Sequence, residues 1–169
     1  QIKEQFSNVS EMTLRTDLKA LDEAKEIVRI HGGAKSVQLV IGTDDYLTRR
    51  AVRNIQAKQE IARKALKLIQ PDTAIFMDSG STTTELAKLF PDQSNLIYTT
   101  GLSCATELAN LTKPVIMLPG GQLNRYSISV YGISAIRELE QVNFHQTFLG
   151  VTGYSMKAGF TCGNNEEAM

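Results

Sequence analysis

"IFMDSGSTTTELAKLF", Ile75 to Phe90, is the stretch from which the rest of this chain is read. Three apolar residues run into Asp78, Ser79 and Gly80, then into Ser81, Thr82, Thr83 and Thr84, and an amphipathic pattern follows. A short apolar run followed by helical spacing is a buried strand turning into a helix. Hydroxyls at that junction have two readings. Ser79 or Ser81 can cap the helix, since Ser and Thr oxygens accept from its first backbone N–H groups. Alternatively the junction cradles an anion. A helix N-terminus carries unpaired N–H groups and the positive end of the dipole, and Gly80 lets backbone come close. The stretch lacks the Gly-x-x-x-x-Gly-Lys-Ser/Thr spacing of a nucleotide P-loop and has no Lys in the loop, which suits a small phosphate ester better than a triphosphate.

The pattern repeats outward. A helix is expected over Ala57–Ile69, with Ile61, Ala65, Leu66 and Ile69 on one side, closed by Pro71-Asp72. "TAIFM" reads as a strand and Ser81–Phe90 as a helix. "NLIYT" is then a strand and Leu102–Leu111 a helix. "PVIML" is a strand ending in Pro119-Gly120-Gly121, followed by a loop, a helix around Ser134–Leu139 and the strand "HQTFLG". Strands alternating with helices, each strand continuously apolar, imply an α/β fold with a parallel sheet covered on both faces.

Ligands of open α/β sheets sit outside the carboxyl ends of the strands. Those ends hold Asp78 to Thr83 after the first strand and Thr99, Thr100 and Gly101 after the second. Gly120, Gly121 and Arg125 follow the third, and Gly153 with Lys157, Gly159 and Thr161 the fourth. Gly, hydroxyl and one Arg on adjacent strand ends make a candidate sugar-phosphate pocket. Each glycine alone is also an ordinary turn residue.

Upstream the character changes. Residues 1–70 hold 13 Lys and Arg against 9 Asp and Glu, whereas residues 71–169 hold 5 against 9. A basic first part points to a polyanion, although surface charges also segregate without consequence. Ile2–Phe6 reads as the end of a short helix and "SNV" as a turn. Ser10 is a good N-cap whose hydroxyl accepts from the N–H of Thr13, with Leu14, Leu18 and Leu21 facing a core. "EIVRIHGGAKSVQLVI" reads as a hairpin around Gly32-Gly33. Short helix, turn, capped helix and hairpin in that order describe the back half of a winged helix-turn-helix. The outward helix face then carries Met12, Thr16 and Lys19, flanked by Thr13 and Arg15, and can enter a major groove. Arg15 suits guanine or phosphate and Thr13 a phosphate or thymine methyl. Arg29 and His31 reach the backbone from the hairpin. A plain solvated amphipathic helix remains the other reading.

The residues of "VSEMTLRTDLKALDEAKEIVRIHGGA" resemble the DNA-binding end of the DeoR family of bacterial sugar-metabolism repressors. The family pattern is Ser-x-x-Thr-aliphatic-Arg-Arg-Asp-Leu followed by an Arg/Val-His-Gly-Gly-Ala wing. It is met by Ser10, Thr13, Leu14, Arg15, Asp17, Leu18, His31, Gly32, Gly33 and Ala34, and departs at Thr16. "AKQEIARKAL", "IFMDSGSTTTELA", "MLPGGQLN", "VYG" and "TFLGVTGY" are similar to later family segments, while Thr100-Gly101 stands where many members have Asn-Ser. The resemblance implies a sensor domain with the fold of phosphosugar isomerases and a sugar phosphate as inducer.

The expected organisation is a partial winged helix-turn-helix over residues 1–41, a linker over 42–56 that transmits the sensor's state, and an effector-binding α/β sensor over 57–169. Both ends read as cut, with an uncapped start and with Asn165, Glu166 and Glu167 opening a helix that has no body. The expected partners are operator DNA, a phosphorylated sugar and further copies of the chain. No cofactor, metal or membrane contact is expected. Cys104 and Cys162 have no metal-ligand spacing with His31 or His145, and read as reduced cysteines of a cytoplasmic protein. The alternative is a sugar-phosphate isomerase, whose general base would be Asp78, Glu166 or Glu167, with His145 read as structural.

Overall fold

The computed structural model describes residues 5–24, 26–30, 33–36 and 46–162. The expectations for the helix starting at Ile2, for His31 and Gly32, and for the cap at Asn165–Glu167 fall outside these residues. The chain divides into two compact units, Gln1–Thr43 and Asp44–Met169.

In the first unit, helix α1 spans Glu11–Glu23 and strands β1 and β2 span Ile27–Ile30 and Gly33–Ser36. Ser10 is extended and its hydroxyl accepts from the N–H of Thr13 at 3.0 Å, as its position suggested. The strands pair antiparallel, with Arg29 opposite Ala34 and Ile30 opposite Gly33. Asp22 joins helix to hairpin by accepting the Arg29 N–H at 3.1 Å. No residue of α1 is buried; Leu14 and Leu18 are half-buried and Leu21 is 42% exposed.

The second unit begins with helices α2, Leu47–Val52, and α3, Ile55–Leu66, so the described part of the stretch read as a linker is largely helical. Asn54 divides the two at φ +54°, a left-handed conformation that asparagine tolerates. Next come β3 (Ala74–Met77), α4 (Ser81–Lys88), β4 (Leu96–Thr99), α5 (Leu102–Leu108) and β5 (Val115–Met117). The chain continues through β6 (Gln122–Asn124), β7 (Ser129–Tyr131), α6 (Ile133–Leu139), β8 (Gln146–Phe148), β9 (Gly153–Ser155) and β10 (Gly159–Thr161). The four main strands form a parallel sheet in the order β5-β4-β3-β8. The pairs β6–β7 and β9–β10 are antiparallel hairpins, the first in a stretch expected as a loop and the second in a stretch where the sequence predicts no element.

Strand periodicity sorts the side chains. Ile75, Met77 and Ile97 point to one face and are buried against Ala62 of α3, Leu86, Ala87 and Phe90 on and after α4, and Cys104 and Leu108 of α5. Each large apolar side chain enclosed there contributes about 1.5–3 kcal/mol. The inward stripe of α3 and the turn after it is Ala62, Ala65, Leu66 and Ile69, an i, i+3, i+4, i+7 set. Ile61, expected inward, is one residue off that stripe and exposed. On the other face Phe144 packs against Phe76 and Tyr98, each with ring centroids 5.6 Å away. Phe144 is delivered by the connection that returns from β5 to β8.

That return matters for function. The chain steps from β3 outward to β4 and β5, then comes back to the opposite side of β3. The carboxyl end of β3, at Asp78, is therefore where the strand order reverses, the place at which open α/β sheets hold ligands.

Candidate functional site

The loop after β3 is clamped from both sides. A Cβ on Gly101, after β4, would lie 2.9 Å from the Ser79 Cα, and one on Gly150, after β8, would lie 2.7 Å from the Ser79 carbonyl oxygen. Neither position admits a side chain without moving backbone. Asp78 draws the three ends together. Its Oδ1 accepts from its neighbour's Ser79 N–H at 2.7 Å and from the Thr100 hydroxyl at 3.2 Å, and its Oδ2 from the Gly150 N–H at 3.0 Å. Its own N–H donates to the Phe148 carbonyl. Asp78 thus braces the site, with both carboxylate oxygens turned to protein donors.

Helix α4 opens at Gly80, whose φ of +134° suits glycine, and no side chain caps it. The junction is therefore not a hydroxyl-capped helix end. Thr83 and Thr84 donate to the Gly80 carbonyl at 2.9 and 2.7 Å, fixing the first turn from inside. Thr83 is buried, and Thr99 is fully so with its Oγ1 accepting the Gly101 N–H at 3.1 Å. Both shape the cradle from beneath. Ser79 and Thr82 are half-buried, and Ser81 is 8% exposed at the first helical position.

Cys104 lies under the loop, its Sγ 3.7 Å from the Asp78 carbonyl oxygen and 3.6–3.7 Å from the Thr84 and Thr83 hydroxyls. Burial pushes its thiol up from the ordinary range, against the hydroxyls that favour the thiolate. It is a neutral weak donor and puts no negative charge beneath the cradle.

The remaining candidates stand on flanking hairpins. β7 runs beside the Thr100–Leu102 segment, with Gly101 bridged to Ser129. Gly121 is pressed against the Tyr131 backbone, where a Cβ would meet its carbonyl oxygen at 2.5 Å. The exposed Gly120 donates its N–H to Glu138 Oε2 at 3.2 Å, and Arg125 is exposed on the turn between β6 and β7. Gly153 belongs to the β9–β10 hairpin, close to the Thr161 hydroxyl. The glycine after β8 that reaches the loop is Gly150, which the sequence signalled only as one glycine of "GVTG".

On α1 the proposed DNA-facing groups are exposed and held by local bonds. Ser10 and Thr13 hydroxyls lie 2.8 Å apart, Thr16 donates to the Met12 carbonyl at 3.0 Å, and Arg15 pairs with Glu11 at 2.8 Å. Lys19 lies 3.7 Å from Glu23. Exposed pairs of this kind contribute only about 0.3–0.5 kcal/mol, so a phosphate displaces them readily. Arg29 is exposed on β1.

Among the described residues no three His, Cys, Asp or Glu side chains are grouped to hold a metal ion, and no helix is long and apolar enough to cross a membrane.

Comparison with known proteins accounts for both units. A model of the DeoR C terminal sensor domain matches residues 53–169, and one of the DeoR-like helix-turn-helix domain matches residues 1–39. The chain is 32% identical over 162 residues to the putative aga operon transcriptional repressor of Escherichia coli O157:H7, covering 95% of this chain and 60% of that protein. It is 34% identical over 158 residues to the HTH-type transcriptional regulator GolR of Listeria innocua, covering 91% of this chain and 61% of that one. With YulB, an uncharacterized HTH-type transcriptional regulator of Bacillus subtilis, identity is 31% over 162 residues, 96% of this chain and 62% of the relative. The chain thus spans about three fifths of the length of these curated relatives. With a helix-turn-helix match on the first unit and a sensor match on the second, the chain belongs to the DeoR family of transcriptional regulators.

Proposed function

We propose that this chain regulates transcription of a carbohydrate-utilisation operon, as a repressor whose affinity for operator DNA is set by a phosphorylated sugar. The observation that carries the effector half is the uncapped opening of α4 at the point where the strand order reverses, clamped between Gly101 and Gly150. Its leading N–H groups and dipole favour a phosphate, and Ser79, Ser81 and Thr82 stand beside them as hydroxyl donors. Thr100, Gly120, Gly121, Arg125 and Gly153 supply the surrounding strand-end backbone and one cation for the sugar and phosphate. The DNA half rests on the exposed face of α1 with Ser10, Thr13, Arg15, Thr16 and Lys19, on Arg29, and on His31 of the wing. A relative described as a putative operon repressor supports the direction of control.

Residues 1–41 are the DNA-reading part, 42–56 the connection and 57–169 the sensor in this reading, and the protein works in the cytoplasm as a homo-oligomer on paired half-sites. An isomerase needs a base poised at a substrate carbon. Asp78 does not fit that role, since Ser79, Thr100 and Gly150 already donate to its oxygens. His145 sits just before β8, at the amino edge of the sheet, away from the cradle.

The test is an operator-binding titration of the full-length protein on DNA from upstream of its own gene. The panel comprises glucose 6-phosphate, fructose 1-phosphate, ribose 5-phosphate and glycerol 3-phosphate, with the free sugars and inorganic phosphate as controls. A selective change in DNA affinity with one phosphorylated sugar is expected. DNA binding that ignores every phosphorylated sugar sinks the effector half, and no binding to the upstream DNA sinks the other.

A further inference from the structure

The segment that opens the sensor unit is fastened to the loops framing the strand-end site. The Leu47 N–H donates to the Tyr126 carbonyl at 2.7 Å, the Tyr46 and Tyr126 rings pack with centroids 5.0 Å apart, and the Leu47 side chain is buried. Further along, the Lys58 ammonium of α3 donates to the Arg50 carbonyl, and α2 packs against α4, the helix that opens on Gly80. Residues 46–58 are thus pinned at Tyr126, on α4 and at Lys58.

Tyr126 belongs to a tightly bonded clip. Asn124 Oδ1 accepts the Tyr126 N–H at 2.9 Å, and the buried Ser127 and Ser129 hydroxyls lie 2.7 Å apart. Between them Ile128 is held at φ +52°, which a β-branched residue rarely adopts. Its carbonyl accepts the Leu102 N–H at 3.0 Å, and Val130 donates its N–H to the Thr100 carbonyl at 2.8 Å. Thr100 in turn donates to Asp78. A continuous set of bonds therefore runs from the brace of the cradle, through Thr100 and residues 124–130, to Leu47. A strained residue in such a chain persists only while its neighbours hold it.

We propose that residues 46–58 are a strap that reports occupancy of the strand-end site to the DNA-binding unit, through docking of Tyr46 and Leu47 on the Tyr126 loop. This rests on the regulator reading above and names the element that carries its signal. A ligand seated against Thr100 and Gly101 favours one arrangement of the clip. Tyr126 then holds or releases the strap, and the ligand shifts the equilibrium by its differential affinity for the two arrangements. Tyr46, Leu47 and Tyr126 are positioning residues and touch neither sugar nor DNA.

The test uses the full-length protein, the same upstream DNA and the same four phosphorylated sugars, with sugar binding measured by calorimetry and operator binding measured with and without each sugar. Two variants undock the strap differently. Tyr126→Ala removes the ring that Tyr46 packs on. Leu47→Pro removes the N–H that Tyr126 accepts while leaving α2 able to form, because proline suits a first helical position and the Tyr46 ψ of 136° lies where a residue before proline is allowed. Tyr126→Phe keeps both contacts and is the control. Wild type and Tyr126→Phe are expected to change operator affinity on sugar binding by about 5- to 150-fold. Tyr126→Ala and Leu47→Pro are expected to bind the sugar as wild type does, with the operator response reduced to about twofold or less. A full response in either undocked variant overturns the strap. Loss of sugar binding in the undocked variants also overturns it, since Tyr126 and Leu47 would then serve to build the pocket rather than to report on it. A wild type that ignores every sugar removes the regulator reading itself, and the strap with it.

Discussion

Helices α1 and α4 both begin among serines and threonines, yet the two ends are built in opposite ways. At α1 the Ser10 hydroxyl caps the N–H of Thr13, and Thr16, Arg15 and Lys19 each bond a residue four positions away on the same helix. No residue of α1 is buried. At α4 no hydroxyl caps the end, five of its eight residues are buried, and the contacts that position the loop come from strands far away in sequence. A closed end on a solvated helix suits a surface that is read from outside. An open end fixed by the fold suits a group received at the backbone itself. The same residue types do both jobs, and what separates them is who satisfies the first N–H groups.

The largest expected break in this comparison is at Gly150. Gly150→Ala puts a methyl 2.7 Å from the Ser79 carbonyl oxygen and forces the cradle to shift. Overpacking of that kind costs about 1–3 kcal/mol. A drop in thermal midpoint together with loss of sugar-phosphate binding is expected by scanning calorimetry and titration, with operator binding retained. Ser10→Ala comes next. Loss of a serine cap costs about 1 kcal/mol. Operator affinity is expected to fall while sugar binding is unchanged, and a fall in both would blur the distinction between the two helices.

Arg15→Ala leaves stability nearly untouched, since its partner Glu11 is exposed. If Arg15 meets a phosphate, the log–log salt slope of operator binding falls by about one. An unchanged slope with weaker binding assigns it to a base instead.

The smallest effect lies at the amino edge of the same sheet, which side chains close rather than leave open. Asp92 accepts from the Thr112 hydroxyl and from the backbone N–H groups of Thr112 and Lys113. The Thr112 hydroxyl, ahead of the Lys113 N–H, holds the Asp92 carboxyl below its ordinary value of 3.8. A depressed carboxyl stabilises the fold above its unfolded value and loses that contribution as pH falls through the folded one. Asp92→Asn is therefore expected to be slightly less stable than wild type at neutral pH, with the gap closing below about pH 3.8 in acid unfolding curves. A gap that persists in acid would mean the bonds do not depend on the charge.

Much of this was legible in the residues. The four parallel strands and α3 to α6 fall within a few residues of their expected positions, because continuous apolar runs and helical spacing are set by burial. The hairpins β6–β7 and β9–β10 were not legible. "QLN", "SVY", "GYS" and "GFT" are three residues each, too short to show alternation and rich in turn-formers. Within the site, Asp78 and Gly101 stood out at strand ends, but the choice of Gly150 over Gly153 depends on which backbone passes within contact distance of Ser79. Nor does the sequence tell that Thr83 and Thr99 turn inward while Thr82 is only half-buried. Those directions follow from how β3, β4 and β8 pair, which no local pattern encodes. The docking of Leu47 on Tyr126 likewise joins residues far apart in the chain, inside a run whose charges suggested a solvated connection.

The central claim is that the open end of α4 receives a phosphate, and Thr82→Glu tests it most directly. Thr82 is half-buried in the first turn, where a carboxylate suits the helix dipole and leaves the fold intact. Titration calorimetry of the four phosphorylated sugars into wild type and variant is the measurement. The sugar phosphate that binds wild type is expected to lose at least about tenfold in affinity for the variant, equivalent to about 1.4 kcal/mol of charge repulsion, at an unchanged thermal midpoint. Equal affinity in a folded Thr82→Glu protein would contradict it and return the hydroxyl run of "DSGSTTT" to a purely structural role.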